Sequence, residues 1–382
     1  MQSKRKKVAV LGCTGSVGRQ ALDVISQMSD RFCVYSMTAH SRIRDVYELA
    51  AEFKPQRIGF SGSVLLDENE LPEDTQVFYG KEGILCACEG ADIVLLSILG
   101  IAALPAFEYC LKNGIPVALA SKEAMVCGGA VARKLMDDTR TPVLPVDSEL
   151  SAIFQCLRGN DINDVERILL TASGGPFRSF ALEQMKDITK EMALKHPTWT
   201  MGQKITIDSA TMMNKGLEIM ETRWLFDIHA SKITVVVHPE SVVHSAVEYK
   251  DGAVMAQLGA PDMRLPIEYA LNYPERNTRV VDRLDLFKVS SLHFERADMR
   301  KFPCLALAYE AIADGGALQL VLNCANEFAV DWFLKDKIGF SDIPKVIERA
   351  MVRFSDLKVN SFEDIYEADR EIRSFCAGGL TL

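Results

Sequence analysis

The chain has 382 residues, of which 48% are hydrophobic and 25% are charged, and its formal net charge at pH 7 is −9. At roughly 150 residues per domain, this length predicts two or three domains and excludes a small scaffold that depends on disulfides. The composition excludes a disordered or fibrous chain. The negative charge disfavours a general nucleic-acid or anionic-membrane binder, although it allows a local basic pocket for one small phosphate.

The cysteines and the N-terminal segment predict a cytoplasmic protein. Ten cysteines are scattered without paired C-x-x-C spacing, which is typical of reduced thiols. The basic run Lys4–Lys7 precedes an apolar stretch that Gly12 ends too early for a signal peptide. No window approaches the roughly 20 apolar residues of a membrane-spanning helix, so we expect no membrane partner.

The first part of the chain alternates short apolar runs with helical patterns, which favours a doubly wound parallel sheet over residues 1–146. The predicted strands are Val8–Leu11, Cys33–Met37, Arg57–Phe60, Ile93–Leu96, Val117–Leu119 and Val143–Val146.

A glycine-rich turn, Gly12–Gly18, joins the first strand to a helical pattern over Ala21–Met28. Glycines in this position let the backbone approach a pyrophosphate at a helix N-terminus, so the turn predicts a Rossmann-like nucleotide site. The second strand ends without the acidic residue that an NAD site usually carries. Ser41 and Arg42, with Arg44 as a further candidate, suit a 2′-phosphate, and the sequence therefore favours NADP over NAD.

Two acidic residues follow the last strand of this sheet. Asp147 and Glu149 project to one side if the segment is extended, and they offer hard oxygen ligands for Mg²⁺ or Mn²⁺. The D-x-E spacing alone is a weak signal. A third carboxylate and several candidate phosphate ligands farther along the chain strengthen the prediction of a metal site.

A central mixed α/β domain is predicted over 147–271, a linker over 272–298, and a small helical domain over 299–382. Asp251-Gly252 predicts a hairpin turn. The strands of the central domain are Ile168–Thr171, Lys232–Val237, Ser245–Tyr249 and Ala253–Leu258, and the helical patterns of the last domain are Cys304–Ala313, Leu320–Phe333 and Ile343–Phe354.

Two segments of the central domain suit a phosphate. Ser173 begins a Ser-Gly-Gly run whose hydroxyl and backbone N–H groups fit a substrate phosphate or hydroxyl. In the run Asp208–Glu218, a helix would place Asn214 and Glu218 on one face with Lys215 beside them. A metal-binding Glu218 next to phosphate-binding groups is one interpretation, and a capped helix whose Lys215 and Glu218 pair on the surface is the other.

A lid is predicted over 178–202, between these two segments. A polar helix over Ala181–Leu194 leads into His196-Pro197, Trp199 provides an apolar cover, and Gly202 supplies a hinge. A lone histidine such as His196 is more often structural, and His238 is predicted to be structural.

Taken together, the motifs resemble those of the 1-deoxy-D-xylulose 5-phosphate reductoisomerase family, in order and across nearly the whole chain. The Asp208–Glu218 run and the PVDSE segment are specific, whereas many reductases share the glycine turn. The segments that carry the resemblance are Gly12–Gly18, Ser121–Glu123, Pro145–Glu149, Ser173–Arg178, His196–Gly202, Asp208–Glu218, His238–Ser241 and Gly259–Arg264.

The resemblance implies NADPH-dependent, metal-assisted rearrangement and reduction of 1-deoxy-D-xylulose 5-phosphate to 2-C-methyl-D-erythritol 4-phosphate, in isoprenoid precursor synthesis, by a homodimer. It implies Mg²⁺ or Mn²⁺, with Co²⁺ also allowed, on Asp147, Glu149 and Glu218. Catalytic roles fall on Glu149, Lys122 and His196. Substrate contacts fall on Lys122, Ser148, Ser173, His196, Trp199, Ser209, Asn214, Lys215 and Glu218. Cofactor contacts fall on Thr14, Gly15, Ser16, Val17, Ser41, Arg42, Ser121, Glu123 and Gly202.

Two departures from the family pattern concern the cofactor: His40-Ser41-Arg42 replaces a frequent Gly-Lys-Asn, and Ser121 replaces Asn. Two other functions fit the sequence less well. A semialdehyde-type dehydrogenase would need an activated cysteine, yet Cys127 and Cys156 have no base nearby in sequence. A non-catalytic NADP-binding regulatory module would have no use for the three carboxylates.

Overall fold

The fold was analysed in a computed structural model that describes residues 5–195, 202–276 and 279–378. The strands are β1 Lys6–Leu11, β2 Phe32–Ala39, β3 Arg57–Phe60, β4 Gln76–Tyr79, β5 Ile93–Leu96, β6 Val117–Leu119, β7 Val143–Pro145, β8 Val165–Ala172, β9 Ile233–Val237, β10 Val243–Tyr249, β11 Val254–Leu258 and β12 Glu295–Arg296. The helices are α1 Ser16–Gln27, α2 Ile43–Phe53, α3 Gly80–Cys88, α4 Leu104–Lys112, α5 Lys122–Thr139, α6 Ser148–Leu157, α7 Lys190–Ala193, α8 Gln203–Ala210, α9 Met213–Leu225, α10 Arg264–Asn272, α11 Leu286–Val289, α12 Pro303–Asp314, α13 Leu318–Leu334, α14 Ile343–Arg353 and α15 Phe362–Ala377.

Two compact units divide the chain. The first contains Met1–Ala124, Lys134–Ser151 and Asp262–Asp282, and the second contains Met125–Arg133, Ala152–Pro261 and Arg283–Leu382. The domain boundaries that we predict at 146, 271 and 298 stay predictions.

The first unit is built on a seven-stranded sheet in the order β4-β3-β2-β1-β5-β6-β7. Every neighbouring pair of strands is parallel, and β1 and β5 are buried almost throughout. The doubly wound parallel sheet predicted from the sequence is confirmed. The strand order reverses at β1, because β2 lies on one side of it and β5 on the other. Ligands of such sheets bind at the carboxyl ends of the strands around that point.

The second unit contains a five-stranded mixed sheet in the order β11-β10-β8-β9-β12. β8 and β9 are parallel, and the other pairs are antiparallel. The predicted hairpin at Asp251-Gly252 is present, because Gly252 has a φ of 88° and its N–H donates to the carbonyl of Tyr249. The helical part of this unit centres on α13, most of which is buried.

Several elements differ from the sequence prediction. Ala181–Leu194 is not one polar helix: it forms a 3₁₀ turn, Leu182–Asp187, followed by the single turn of α7. Lysine side chains tie this segment to later parts of the chain. Lys301 Nζ donates to the carbonyl of Phe180 (2.9 Å), and Lys190 Nζ donates to that of Leu334 (3.2 Å). The sequence prediction also missed β4, β12 and α15.

Candidate active site

The glycine-rich turn between β1 and α1 is shaped by close backbone contacts. Gly12 has a φ of 89°, and a Cβ there would lie 2.7 Å from the carbonyl oxygen of Ser97. A Cβ at Gly18 would lie 2.3 Å from the carbonyl oxygen of Gly12. Gly15 precedes α1 in an extended conformation, and no side chain caps the helix. The helix N-terminus is therefore open to an anion such as a pyrophosphate.

The other predicted cofactor residues of the first unit lie around the carboxyl ends of the parallel strands. Ser41 and Arg42 line a cleft of about 730 Å³ beyond β2 and β3. Ser121 precedes α5, and its hydroxyl donates to the carbonyls of Leu96 (3.1 Å) and Ile98 (2.5 Å). Because that hydroxyl is used within the fold, Ser121 fixes the loop after β5.

A buried lysine pairs with the first predicted metal ligand. Lys122 begins α5, and its Nζ lies 2.8 Å from Oδ2 of Asp147, with both side chains nearly buried. Glu123, the next residue, is also buried.

The segment after β7 is not extended, because Ser148 already begins α6. Asp147 precedes the helix, and its Oδ1 accepts a hydrogen bond from the backbone N–H of Glu149 (3.2 Å). Aspartate is a favoured residue at this capping position because its side chain satisfies a free N–H of the first turn. The Ser148 hydroxyl donates to Oε2 of Glu149 (2.5 Å). Capping therefore positions the Asp147 carboxylate, and the Ser148 hydroxyl positions that of Glu149.

In the second unit, the Ser-Gly-Gly loop lies against the Ser209 segment. Gly174 and Gly175 have φ angles of 83° and 66°, and a Cβ at Gly175 would lie 2.6 Å from the carbonyl oxygen of Ser209. The N–H of Gly175 donates to the Ser173 hydroxyl (3.3 Å). The two segments that the sequence predicts as phosphate ligands are thus neighbours, although 35 residues lie between Ser173 and Ser209 in the chain.

The Asp208–Glu218 run is not one helix, since Met212 adopts a left-handed conformation (φ 62°) between α8 and α9. Asn214 and Glu218 nevertheless share a face of α9, and Asn214 Nδ2 donates to Glu218 Oε1 (2.6 Å). Lys215 Nζ pairs with the other oxygen of the same carboxylate. Lys215 is only 4% exposed and Glu218 only 1%, so the interpretation of this pair as a surface contact is wrong.

Residues that the sequence analysis did not select hold this segment in place. Asp208 is buried, its Oδ2 lies 2.9 Å from Lys204 Nζ, and its Oδ1 accepts from Asn326 of α13 (2.8 Å). His244 of β10 is also buried, and burial lowers the pKa of its imidazole, with Lys215 among the positive groups that act in the same direction. Only the tertiary fold brings Asn326 and His244 to this region.

The three predicted metal ligands are all carboxylates. Asp147 and Glu149 lie at the start of α6 in the first unit, and Glu218 lies on α9 in the second unit. Carboxylate oxygens are the ligands that Mg²⁺ and Mn²⁺ prefer. Within each unit, one of these carboxylates pairs with a buried lysine.

The structure also bears on the other predicted residues and on the dehydrogenase alternative. His196 and Trp199 lie outside the described residues, and Gly202 precedes α8 in an extended conformation. His238 is fully buried, and its Nε2 accepts from the N–H groups of Val242 and Val243, as expected for a structural histidine. Burial raises the pKa of Cys156 to about 11, which disfavours an activated thiol there.

No helix among the described residues is both long and apolar enough to cross a membrane.

Comparison with known proteins covers almost the whole chain. Residues 8–129 match the family model described as 1-deoxy-D-xylulose 5-phosphate reductoisomerase, residues 143–226 match its C-terminal domain, and residues 258–375 match a further DXP reductoisomerase C-terminal domain. The chain is similar to the 1-deoxy-D-xylulose 5-phosphate reductoisomerase of Clostridium acetobutylicum, with 45% identity over 98% of this chain and 99% of that protein.

Solved structures give the same result. The chain is similar to the Zymomonas mobilis 1-deoxy-D-xylulose 5-phosphate reductoisomerase in complex with NADPH, with a TM-score of 0.91 and 41% identity over 98% of this chain and 99% of that chain. It is also similar to a DOX-P reductoisomerase in complex with NADPH, fosmidomycin and magnesium, with a TM-score of 0.90 and 38% identity over 98% of both chains.

Proposed function

Because this chain belongs to the 1-deoxy-D-xylulose 5-phosphate reductoisomerase family, we propose that Asp147, Glu149 and Glu218 hold the divalent metal of the family reaction. The chain is an NADPH-dependent enzyme that rearranges and reduces 1-deoxy-D-xylulose 5-phosphate to 2-C-methyl-D-erythritol 4-phosphate. The observation that carries the metal assignment is that all three positions are carboxylates held by hydrogen bonds within their own units.

The donor set fits a hard divalent cation, because all three ligands are carboxylates and none is a thiolate or an imidazole. When bound there, Mg²⁺ or Mn²⁺ would polarise the substrate carbonyl and favour negative charge on its oxygen atoms. Co²⁺ stays a further candidate. The protein contributes preorganised ligands: Asp147 is fixed by the first turn of α6, and Glu149 by the Ser148 hydroxyl.

The substrate phosphate is assigned to the region of Ser173, Ser209, Asn214 and Lys215. The Ser173 loop lies against the Ser209 backbone, and Lys215 supplies a buried positive charge on α9. A phosphate held by charge-assisted hydrogen bonds provides binding energy away from the reacting carbons. Lys122, beside Asp147, is assigned to substrate oxygen atoms near the metal, where an ammonium group would stabilise developing negative charge.

The remaining roles rest on the family resemblance. His196 and Trp199 are assigned to a lid over the substrate, and His196, with Glu149 and Lys122, to the catalytic groups. NADPH is assigned to the Gly12–Gly18 turn, to Ser41 and Arg42, and to Ser121, Glu123 and Gly202. A cytoplasmic location and the absence of nucleic-acid and membrane partners stay predictions.

A homodimer is proposed from the edge of the five-stranded sheet. β11 is the last strand on one side, and Val254, Met255 and Leu258 are 53%, 45% and 37% exposed. An exposed apolar edge strand is a template for pairing with another chain. Sedimentation should therefore give about twice the 42.4 kDa chain mass, and Met255→Lys should shift the protein towards the monomer. A wild-type monomer at assay concentrations would contradict the proposal.

The function is tested by NADPH oxidation with 1-deoxy-D-xylulose 5-phosphate. We expect turnover to stop when a chelator removes divalent cations and to return with Mg²⁺ or Mn²⁺, because the three carboxylates are assigned to hold the cation that polarises the substrate carbonyl. NADPH binding, measured separately by fluorescence, should persist after chelation. Full turnover by rigorously metal-stripped protein would contradict the metal assignment.

A further inference from the structure

The cleft beyond β2 and β3 contains more candidate cofactor contacts than Ser41 and Arg42. It has a volume of about 730 Å³ and is also lined by His40, Arg44 and Ser61. Because it lies at the carboxyl ends of neighbouring parallel strands, it is placed where the adenosine half of a dinucleotide binds in open α/β sheets. The question is which of its side chains recognise the 2′-phosphate that distinguishes NADPH from NADH.

Arg42 is already used within the fold. It precedes α2 in a left-handed conformation (φ 60°), and its Nη1 donates to the backbone carbonyl of Thr14 (2.9 Å). Thr14 belongs to the glycine-rich turn that we assign to the pyrophosphate. This hydrogen bond ties the turn to the start of α2, so Arg42 shapes a part of the site that NADPH and NADH share.

Arg44 differs from Arg42. Its side chain is exposed and lines the cleft, and it has no hydrogen bond or ion pair with the residues that the structure describes. The neighbouring Asp45 is neutralised by Arg19 of α1 at 2.7 Å. The positive charge of Arg44 is therefore not offset by the nearest carboxylate of the cleft, which favours an anionic ligand.

His40 and Ser61 add polar groups to the same cleft. His40 Nδ1 lies 3.1 Å from the hydroxyl of Ser61, the residue that follows β3. When the hydroxyl donates to Nδ1, the imidazole carries its proton on Nε2 and can donate it to a phosphate oxygen. The Arg44 guanidinium and the His40 imidazole together provide N–H groups that can donate hydrogen bonds to a phosphate monoester.

We propose that Arg44 and His40 determine specificity for the adenosine 2′-phosphate, whereas Arg42 is a positioning residue for the glycine-rich turn. This inference rests on the proposed NADPH site and assigns its selectivity to residues of this chain. Loss of Arg44 or His40 would remove contacts that only the 2′-phosphate makes. Loss of Arg42 would weaken every nucleotide that uses the turn.

The test is calorimetric binding of adenosine 2′,5′-bisphosphate and of 5′-ADP to the full-length protein. Wild type should prefer the bisphosphate. Arg44→Ala should weaken the bisphosphate on the order of 10-fold or more, since it removes a hydrogen bond to a charged group, and should leave 5′-ADP unchanged. His40→Ala should act in the same direction, and His40→Gln, which keeps an N–H donor, should restore part of the preference.

The positioning role of Arg42 predicts a different pattern. Arg42→Ala should weaken 5′-ADP and the bisphosphate by the same factor, and Arg42→Lys, which keeps a donor for the Thr14 carbonyl, should recover affinity for both. Arg300→Ala is the matched control, because it removes the same charge from an exposed side chain and should change neither affinity. Thermal unfolding of each variant checks that the fold is kept.

Each outcome is decisive. A wild type that binds both nucleotides equally would overturn the NADP assignment and this inference together. A wild type that prefers the bisphosphate, with an Arg44→Ala variant that keeps the full preference, would overturn this inference alone. A selective loss of bisphosphate binding in Arg42→Ala would show that Arg42, and not Arg44, recognises the phosphate. If Arg44→Ala fails to fold, Arg44→Gln provides the same comparison.

Discussion

Asp147→Asn should lower kcat on the order of 10³-fold, because it removes the charge of one metal ligand at the reacting centre. The substitution hardly changes side-chain volume. Asparagine can still accept the N–H of Glu149 and a hydrogen bond from Lys122, which Asp147 accepts in the wild type. The start of α6 should therefore keep its geometry, and the NADPH dissociation constant should change little.

A matched control separates loss of charge from loss of capping. Asp161 also accepts a backbone N–H, that of Asn163 at 2.9 Å, at the start of a short 3₁₀ turn. Asp161→Asn should leave kcat near the wild-type value. Near wild-type turnover of Asp147→Asn at saturating Mg²⁺, or an equal loss of activity in both variants, would contradict the assignment of Asp147 as a metal ligand.

Lys215→Ala should lower kcat/KM on the order of 10²-fold or more and also destabilise the protein. Both effects follow from its position. The variant loses the positive charge assigned to the substrate phosphate, and it removes the lysine partner of the buried Glu218 carboxylate. Removing one partner of a buried ion pair costs about 3–5 kcal/mol of unfolding free energy. Steady-state kinetics and thermal unfolding measure the two effects separately.

A second substitution distinguishes them. In Lys215→Ala/Glu218→Gln, the buried negative charge is removed as well, so much of the lost stability should return while substrate and phosphonate affinity stay low. Lys345→Ala is the surface control, since Lys345 pairs with Asp342 at the same i,i+3 spacing but is largely exposed, where such pairs contribute little. If Lys215→Ala binds a phosphonate inhibitor as tightly as wild type, Lys215 is not a phosphate ligand.

The sequence predicted the parallel sheet well, for a physical reason. Strands such as Ile93–Leu96 are buried on both faces, so they read as continuous apolar runs between helical patterns. β4, Gln76–Tyr79, was missed because it is an edge strand whose residues are only partly buried. Its short, mixed sequence lacks the periodicity on which strand prediction depends.

The metal ligands could be predicted as residue types, but their geometry could not. Asp147 and Glu149 do not lie in an extended segment, because the capping tendency of aspartate starts a helix at Ser148. The surface pairing of Lys215 and Glu218 was excluded only by burial, which depends on packing that sequence spacing does not specify. Asn326 was missed for a related reason: it lies 118 residues from Asp208, to which it donates.

Diffraction from crystals grown with Mn²⁺, recorded at a wavelength where manganese scatters anomalously, tests the central claim most directly. We expect one strong anomalous peak within bonding distance of Asp147, Glu149 and Glu218 in the wild type, and a much weaker peak at that place in Asp147→Asn. A wild-type peak bound by other residues, or a peak of equal strength in both proteins, would contradict the assignment of the metal to these three carboxylates.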